Sequence, residues 1–261
     1  MANLVNFGRG ITPVSGHSKW HNIRLKKSKV DAQRGKVFTR IAREIIVAAK
    51  GGGGSPEGNP RLRMALQKAR EVGMPQENIK RAIQRGTGEV EGATYDEVTY
   101  EGYGPGGVAL LVECLTDNRN RTVSEVRSTF GRSGGNLGES GCVAYLFDHK
   151  GVVTVSAEST DEDTLLEVAL EAGAEDVTAD DGVFEVTTAP SELETVRAAI
   201  EERKIPIESA DVTMVPKSTV QVQGKEAEQV LRLLENLEEL DDVQHVYANF
   251  DMPDDMLESV A

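Results

Sequence analysis

The strongest chemical signal in this sequence is a group of cations around a tryptophan near the start of the chain. Lysine and arginine neutralise phosphates and release counterions, and an exposed indole can stack on a base or a ribose. We call this group the basic cluster; its members are Lys19, Trp20, Arg24, Lys26, Lys27 and Lys29. The positive face continues along a predicted helix through Arg34, Lys36, Arg40 and Arg43. The pattern predicts a nucleic-acid-binding surface; the alternative is a solvated helix face with Trp20 in the core.

A second candidate site lies at a predicted strand-to-helix junction, where residues 116–122 read TDNRNRT. Arg119 and Arg121 stand out there because the surrounding sequence is acidic. A helix N-terminus attracts anions, and two arginines beside it can clamp a phosphate. We therefore add Arg119 and Arg121 to the predicted nucleic-acid site. The alternative is that Asn120 or Thr122 caps the helix while the arginines balance nearby carboxylates.

The sequence contains no recognisable catalytic or metal-binding pattern. His17 and His21 are four residues apart, but neither an HExxH pattern nor cysteine ligands accompany them. No nucleophile, base and orienting group can be assembled around His149 or His245. The glycine-rich segment at residues 102–107 lies between two predicted strands, which is not the context of a dinucleotide site. We predict no enzyme activity, no bound metal and no cofactor.

The charge of the chain changes sign near residue 90. Residues 1–90 hold 18 lysines and arginines and 6 acidic residues, whereas residues 91–261 hold 11 and 37. A basic part on an acidic body indicates a phosphate-binding face whose surroundings repel nucleic acid. There is no apolar run of membrane-spanning length and no secretory signal pattern, so we expect a cytoplasmic protein without a membrane partner. Cys114 and Cys142 lie in separate apolar runs and are predicted to be buried, reduced thiols.

Hydrophobic periodicity predicts a basic helical domain at residues 16–93, after a loose extension at residues 1–15. Apolar residues at three- and four-residue spacing mark a first helix, and the glycines at 51–54 read as a flexible linker after it. Asn59 followed by Pro60 is typical of a helix start. A third helix is predicted to begin at Pro75 and to end at Gly86. Together these segments predict a three-helix bundle.

The pattern after residue 93 predicts strands that alternate with helices. Residues 149–215 read strand, helix, strand, strand, helix, strand, the order of a ferredoxin-like split βαβ unit. Residues 94–148, with a final strand at 142–147, and residues 216–251 are predicted to form one discontinuous domain into which that unit is inserted. Residues 252–261 read as an acidic tail. The predicted fold class is therefore α+β: a three-helix domain followed by two ferredoxin-like domains, one inserted in the other.

Several long segments of the chain resemble the YebC family. These are GHSKW at 16–20, DAQRGKVFTR at 31–40, NPRLRMALQKAREVGMPQENIKRAI at 59–83, YEGYGPGGVALLVECLTDNRNRT at 100–122 and GGNLGESGCVAYLF at 134–147. The resemblance extends over residues 16–251. It implies a helical N-terminal domain and two α+β domains around an open cleft. It also places the nucleic-acid face on the basic cluster, whereas Arg119 and Arg121 are our own addition.

The resemblance implies two functional descriptions. Members of the family are commonly described as DNA-binding transcriptional regulators, and the family includes a mitochondrial translational activator of cytochrome oxidase. Other members act on ribosomes and help translation through difficult sequences such as proline runs. We therefore expect a non-enzymatic nucleic-acid-binding regulator of transcription, or alternatively a ribosome-associated RNA-binding factor that relieves stalling. A pure protein-interaction module, with the acidic sheets as its surface, is a third class.

Overall fold

The computed structural model describes residues 34–180 and 182–253, which divide into two compact units. One unit consists of residues 147–218, and the other contains residues 34–146 together with 219–253. The predicted α+β class is confirmed, with helices first and sheets after them. The finer boundaries between the predicted domains stay a prediction.

Three helices come first along the chain, and strands and helices alternate after them. The helices are α1 (Arg34–Gly52), α2 (Pro60–Glu71), α3 (Gln76–Gly86), α4 (Arg119–Arg132), α5 (Glu162–Glu171), α6 (Leu193–Glu202) and α7 (Gly224–Glu238). The strands are β1 (Asp96–Tyr103), β2 (Ala109–Thr116), β3 (Asn136–Leu137), β4 (Phe147–Ser156), β5 (Asp176–Asp180), β6 (Val183–Thr188), β7 (Ile207–Pro216), β8 (Val220–Gln221), β9 (Val243–Ala248) and β10 (Phe250–Asp251).

Helices α1, α2 and α3 form a small bundle around an aliphatic core. Its buried residues are Ile45, Ile46, Ala48, Leu62, Ala65, Leu66, Ala69, Met74, Ile79 and Ala82. Gly86 lets α3 approach α1 closely, because a Cβ there would lie 2.5 Å from the Ile46 carbonyl oxygen. The same Cβ would lie 2.6 Å from Cβ of Ala49. A side chain at position 86 would therefore force the two helices apart.

Asn59 fixes the connection between α1 and α2. Its side-chain oxygen accepts a hydrogen bond from the Leu62 amide at 3.0 Å and caps α2, as the sequence predicts. Its amide group donates to the carbonyl oxygens of Ala48 at 2.8 Å and Gly53 at 2.9 Å. The segment predicted as a flexible linker is therefore different in the structure: α1 continues to Gly52, and a buried asparagine holds the turn that follows.

The larger unit also contains a four-stranded antiparallel sheet in the order β3-β1-β2-β9. Strands β1 and β2, the two strands predicted on either side of residues 102–107, form a hairpin through a 3-10 turn at Pro105–Gly107. Helices α4 and α7 supply Phe130 and Leu231 to the core that also contains Leu110 and Val112 of β2. Residues 216–251 add only β9 to this sheet, because β8 pairs in parallel with β10 in a separate two-stranded sheet.

Residues 142–147, predicted as a strand, bend instead around the buried carboxylate of Glu101. This carboxylate accepts hydrogen bonds from the amides of Gly141 at 2.7 Å, Val143 at 2.8 Å and Ala144 at 2.8 Å. A single carboxylate can receive three amides only if the chain curls, so a 3-10 turn forms at Ala144–Leu146 and β4 begins at Phe147. Burial raises the pKa of Glu101, but the three amide hydrogen bonds outweigh it and leave the pKa below its usual range.

The smaller unit has the predicted ferredoxin-like arrangement. Its antiparallel sheet has the order β5-β6-β4-β7, so the fourth strand of the unit pairs with the first. Helices α5 and α6 bury Leu165, Val168, Val196 and Ile200 in the core of this unit. Asp161 caps α5 by accepting a hydrogen bond from the Thr164 amide at 2.9 Å.

Candidate nucleic-acid interface

The basic cluster lies outside the described residues. The structure therefore describes none of its members, which are Lys19, Trp20, Arg24, Lys26, Lys27 and Lys29. Arg34 begins α1, but its side chain is also outside the described part. These members of the predicted site stay a prediction from the sequence. The described residues contain the three remaining members: Lys36, Arg119 and Arg121.

Three cations at spacings of four and three residues on α1 lie against the end of α7. Lys36 Nζ donates a hydrogen bond to the Glu239 carbonyl oxygen at 3.3 Å, and Arg40 donates to the Glu238 carbonyl. Arg43 donates to the Asp241 carbonyl. Helix α7 has no basic residue in its own last turn, and cations near a helix C-terminus stabilise its unpaired carbonyls.

The expectation that Arg40 and Arg43 extend an open positive face is therefore wrong. Both side chains are half-buried and bind the protein's own carbonyl oxygens. Arg43 also lies with Cζ 5.2 Å from the centre of the Tyr95 ring. Lys36 is exposed and stays in the predicted site. Sequence spacing placed these cations on one face correctly, but it could not show that α7 covers part of that face.

Asp242 is the buried carboxylate at which α1, β2 and α4 meet. It accepts hydrogen bonds from Arg43 at 3.0 Å, Arg121 at 2.7 Å and Thr122 at 2.6 Å. The Thr116 hydroxyl donates a further hydrogen bond at 3.2 Å. Burial raises the pKa of Asp242, but the hydrogen bonds and the two arginine charges outweigh burial, so its pKa lies below the usual range. The carboxylate is therefore ionised at neutral pH.

The segment 116–122 has a structural role within the protein. Asn118, not Asn120 or Thr122, caps α4 by accepting a hydrogen bond from the Arg121 amide at 3.1 Å. Arg119 pairs with Asp96 at 3.1 Å, and Arg121 pairs with Asp117 at 2.8 Å as well as with Asp242. The Arg119 side chain is 63% exposed and that of Arg121 is 43% exposed. Their part in nucleic-acid binding stays a prediction.

A cavity of about 290 Å³ lies between α1 and α3, beside Tyr95. Its polar lining includes Asn78, Arg81 and Arg85 of α3, which occur at spacings of three and four residues and are exposed. Within residues 34–180 and 182–253, neither Arg81 nor Arg85 has an ion-pair partner. Our sequence reasoning missed this group. The signal was present in the helical spacing of its polar residues, opposite Ile79 and Ile83.

The described part of the chain contains both cysteines of the sequence. Cys114 and Cys142 are free thiols, the first buried as predicted and the second only half-buried. Burial raises the pKa of Cys114 to about 12, which keeps it protonated at neutral pH. Within the described ranges, no group of three or more His, Cys, Asp or Glu residues could hold a metal ion. None of the described helices is long and apolar enough to cross a membrane.

Two family models match this chain, and two similar proteins carry the same description. Residues 18–89 match the family model described as "TACO1/YebC protein N-terminal domain", and residues 95–250 match "TACO1/YebC second and third domain". A Persephonella marina protein named "Probable transcriptional regulatory protein" is 57% identical over 250 residues, covering 95% of this chain and 100% of the relative. A Geobacter sulfurreducens protein with the same description is 56% identical over 247 residues, covering 95% and 100%.

A solved structure is similar over most of the fold as well. The crystal structure of a conserved hypothetical protein from Aquifex aeolicus has a TM-score of 0.78 to this chain at 55% sequence identity. The match covers 87% of this chain and 93% of the Aquifex chain. The similarity therefore extends across both the helices and the sheets.

Proposed function

Because the chain belongs to the TACO1/YebC family, we propose that it is a nucleic-acid-binding regulator of gene expression that catalyses no reaction. The observation that carries the proposal is the excess of 18 cations over 6 acids in residues 1–90, beside the opposite excess in the rest of the chain. Such a distribution provides phosphate affinity in one part and repels nucleic acid from the other.

The described helices support the proposal because only part of their positive charge is used within the protein. Arg40 and Arg43 bind carbonyl oxygens at and after the end of α7, and Arg61 pairs with Glu44 and Glu97. Arg81 and Arg85 instead border an open cavity. The proposed interface therefore combines the basic cluster, as the main source of affinity, with Arg81 and Arg85 of α3. Its place of action is the cytoplasm.

The names of the relatives favour DNA as the target. Proteins more than half identical to this chain are named as probable transcriptional regulators. In this form of the proposal, the basic part binds duplex DNA and the protein regulates transcription. Affinity for duplex DNA should then fall steeply with salt and should depend on sequence.

A ribosome-associated role is the second candidate, and the cavity between α1 and α3 favours it. Its arginines surround a concave site with an apolar floor, which suits an unpaired nucleotide better than the stacked pairs of a duplex. Structured RNA presents such nucleotides in loops and bulges. In this form of the proposal, the protein binds ribosomal RNA and acts in translation.

One pair of measurements tests the proposal and separates its two forms. Fluorescence anisotropy with labelled duplex DNA and labelled structured RNA, at graded salt, measures affinity for each. Co-sedimentation with ribosomes over the same salt range measures association with the whole particle. Tight binding to one promoter together with release from ribosomes at physiological salt contradicts the translation form. No binding to either nucleic acid contradicts the proposal itself.

A further inference from the structure

We infer that the cavity between α1 and α3 binds one unpaired nucleotide of single-stranded RNA, a conclusion that rests on the proposed function. The base would lie on the apolar floor, and the phosphate would bind Arg81 and Arg85. This assigns a subsite for a base, in addition to the cations that we propose to bind phosphates. It also gives the protein a means to distinguish unpaired from paired nucleic acid.

The size and the lining of the cavity suit a single base and its sugar. The volume of about 290 Å³ lies near the lower limit of ordinary small-ligand pockets, which begin at about 300 Å³. The apolar floor is formed by Phe38, Ala42, Ile46, Met74 and Ala82. A flat base can stack on an aromatic ring and bury its faces on such a floor. A volume of this size suits one base better than a base pair.

The cations at the rim supply the recognition of phosphate. Arg81 and Arg85 are four residues apart on α3, so their side chains lie on one face, about one helical turn apart. Both are exposed at the cavity, and no carboxylate among the described residues pairs with them. A planar guanidinium binds two phosphate oxygens at once, and two such groups fix the position of the phosphate.

The rim of the cavity also carries uncharged polar side chains. Thr39 and Asn78 at the rim add a hydroxyl and an amide for the edge of the base.

The test compares RNA with inorganic polyphosphate, which carries charge but no base. The affinity of the full chain for fluorescein-labelled single-stranded RNA is measured by anisotropy, and polyphosphate affinity is measured by competition. Thr39→Trp places an indole at the rim and fills the cavity. We expect it to weaken RNA binding by about tenfold, the range of one lost base stack, and to leave polyphosphate binding within about twofold. Asn78→Trp is a second filling variant in case the first does not fold.

Matched charge changes show whether position matters beyond net charge. The double variant Arg81→Gln with Arg85→Gln should weaken RNA binding by about tenfold or more. The control Arg70→Gln with Lys80→Gln removes the same charge from exposed positions outside this cavity and should cost less than about threefold. Circular dichroism confirms that each variant is folded.

The outcomes separate the subsite from the proposed function. Equal effects of Thr39→Trp on RNA and polyphosphate, or no effect on either, would overturn the subsite while nucleic-acid binding stands. Equal losses in the two double variants would also overturn it. Failure of the unmodified chain to bind any RNA or DNA would overturn both the subsite and the proposed function.

Discussion

Helices α1 and α3 belong to the same bundle and carry similar cations, yet they place them in different surroundings. Lys36, Arg40 and Arg43 of α1 meet the carbonyl end of α7 and the buried Asp242. Arg81 and Arg85 of α3 border a cavity and have no ion-pair partner among the described residues. Both sets follow the spacing of one helix face. The difference shows that helical spacing identifies a basic face but not whether that face stabilises the fold or remains open to a ligand.

We predict the largest loss of stability for removal of the Asp242 carboxylate, which binds Arg43 of α1. Asp242→Ala leaves Arg43 and Arg121 without their shared buried partner and should lower the free energy of unfolding by about 3–5 kcal/mol. Urea unfolding followed by circular dichroism measures the loss. Asp241→Ala is the control: its side chain is exposed, so the change should stay within about 0.5 kcal/mol. Equal effects of the two variants would mean that Asp242 does not anchor α1.

Replacing an arginine by glutamine on α1 or on α3 should have different effects on stability. Arg43→Gln removes charged hydrogen bonds to the Asp242 carboxylate and to the Asp241 carbonyl oxygen, and should cost about 1.5–3 kcal/mol of stability. Arg85→Gln should change stability by less than about 0.5 kcal/mol, because the side chain is exposed. Thermal and urea unfolding of both variants check this. A larger loss for Arg85→Gln would reverse the roles that we assign to the two helices.

The other end of α1 offers a local contact for comparison. Asn59→Ala removes the cap of α2 and two hydrogen bonds to the end of α1, and should lower the free energy of unfolding by about 1–2 kcal/mol. Asn59→Asp keeps the capping oxygen and should recover part of the loss. Chemical denaturation of both variants gives the two values. No loss in the alanine variant would show that the turn is held by other contacts.

The smallest effect is a change in the pH dependence of stability. The folded pKa of Asp242 lies below the unfolded one, so the ionised carboxylate stabilises the protein fully above the unfolded pKa, near 4. That contribution is lost as the pH falls through the folded pKa. Between about pH 5 and about pH 3, wild-type stability should therefore fall more steeply than that of Asp242→Asn. Parallel curves for the two proteins would contradict this role of Asp242.

Features set by neighbouring residues were predictable from the sequence. The alternation of strands and helices in β4 to β7 identified the ferredoxin-like unit, because each element there shows its own periodicity. The cap at Asn59 also followed from local sequence, since Pro60 occupies the first helical position. At α4 the structure places the cap at Asn118, only two residues from the first predicted candidate.

Features that depend on distant residues could not be predicted in this way. The bend at 142–147 depends on Glu101, about forty residues earlier, and its apolar residues by themselves resemble a strand. The partners of Arg40 and Arg43 lie about two hundred residues away along the chain. The cavity requires α1, α3 and Tyr95 to come together, so no single segment shows it. Its arginine spacing was visible in the sequence, but its concave shape was not.

We propose that the basic cluster binds nucleic-acid phosphates. The salt dependence of nucleic-acid binding, measured after three of its lysines are neutralised, tests this most directly. The triple variant Lys26→Gln, Lys27→Gln and Lys29→Gln is compared with the unmodified chain by anisotropy with labelled duplex DNA and labelled RNA. If each lysine neutralises one phosphate, the slope of log affinity against log salt should become shallower by roughly 2–3, and affinity should drop on both nucleic acids. An unchanged slope together with unchanged affinity would contradict the claim that this part of the chain binds nucleic-acid phosphates.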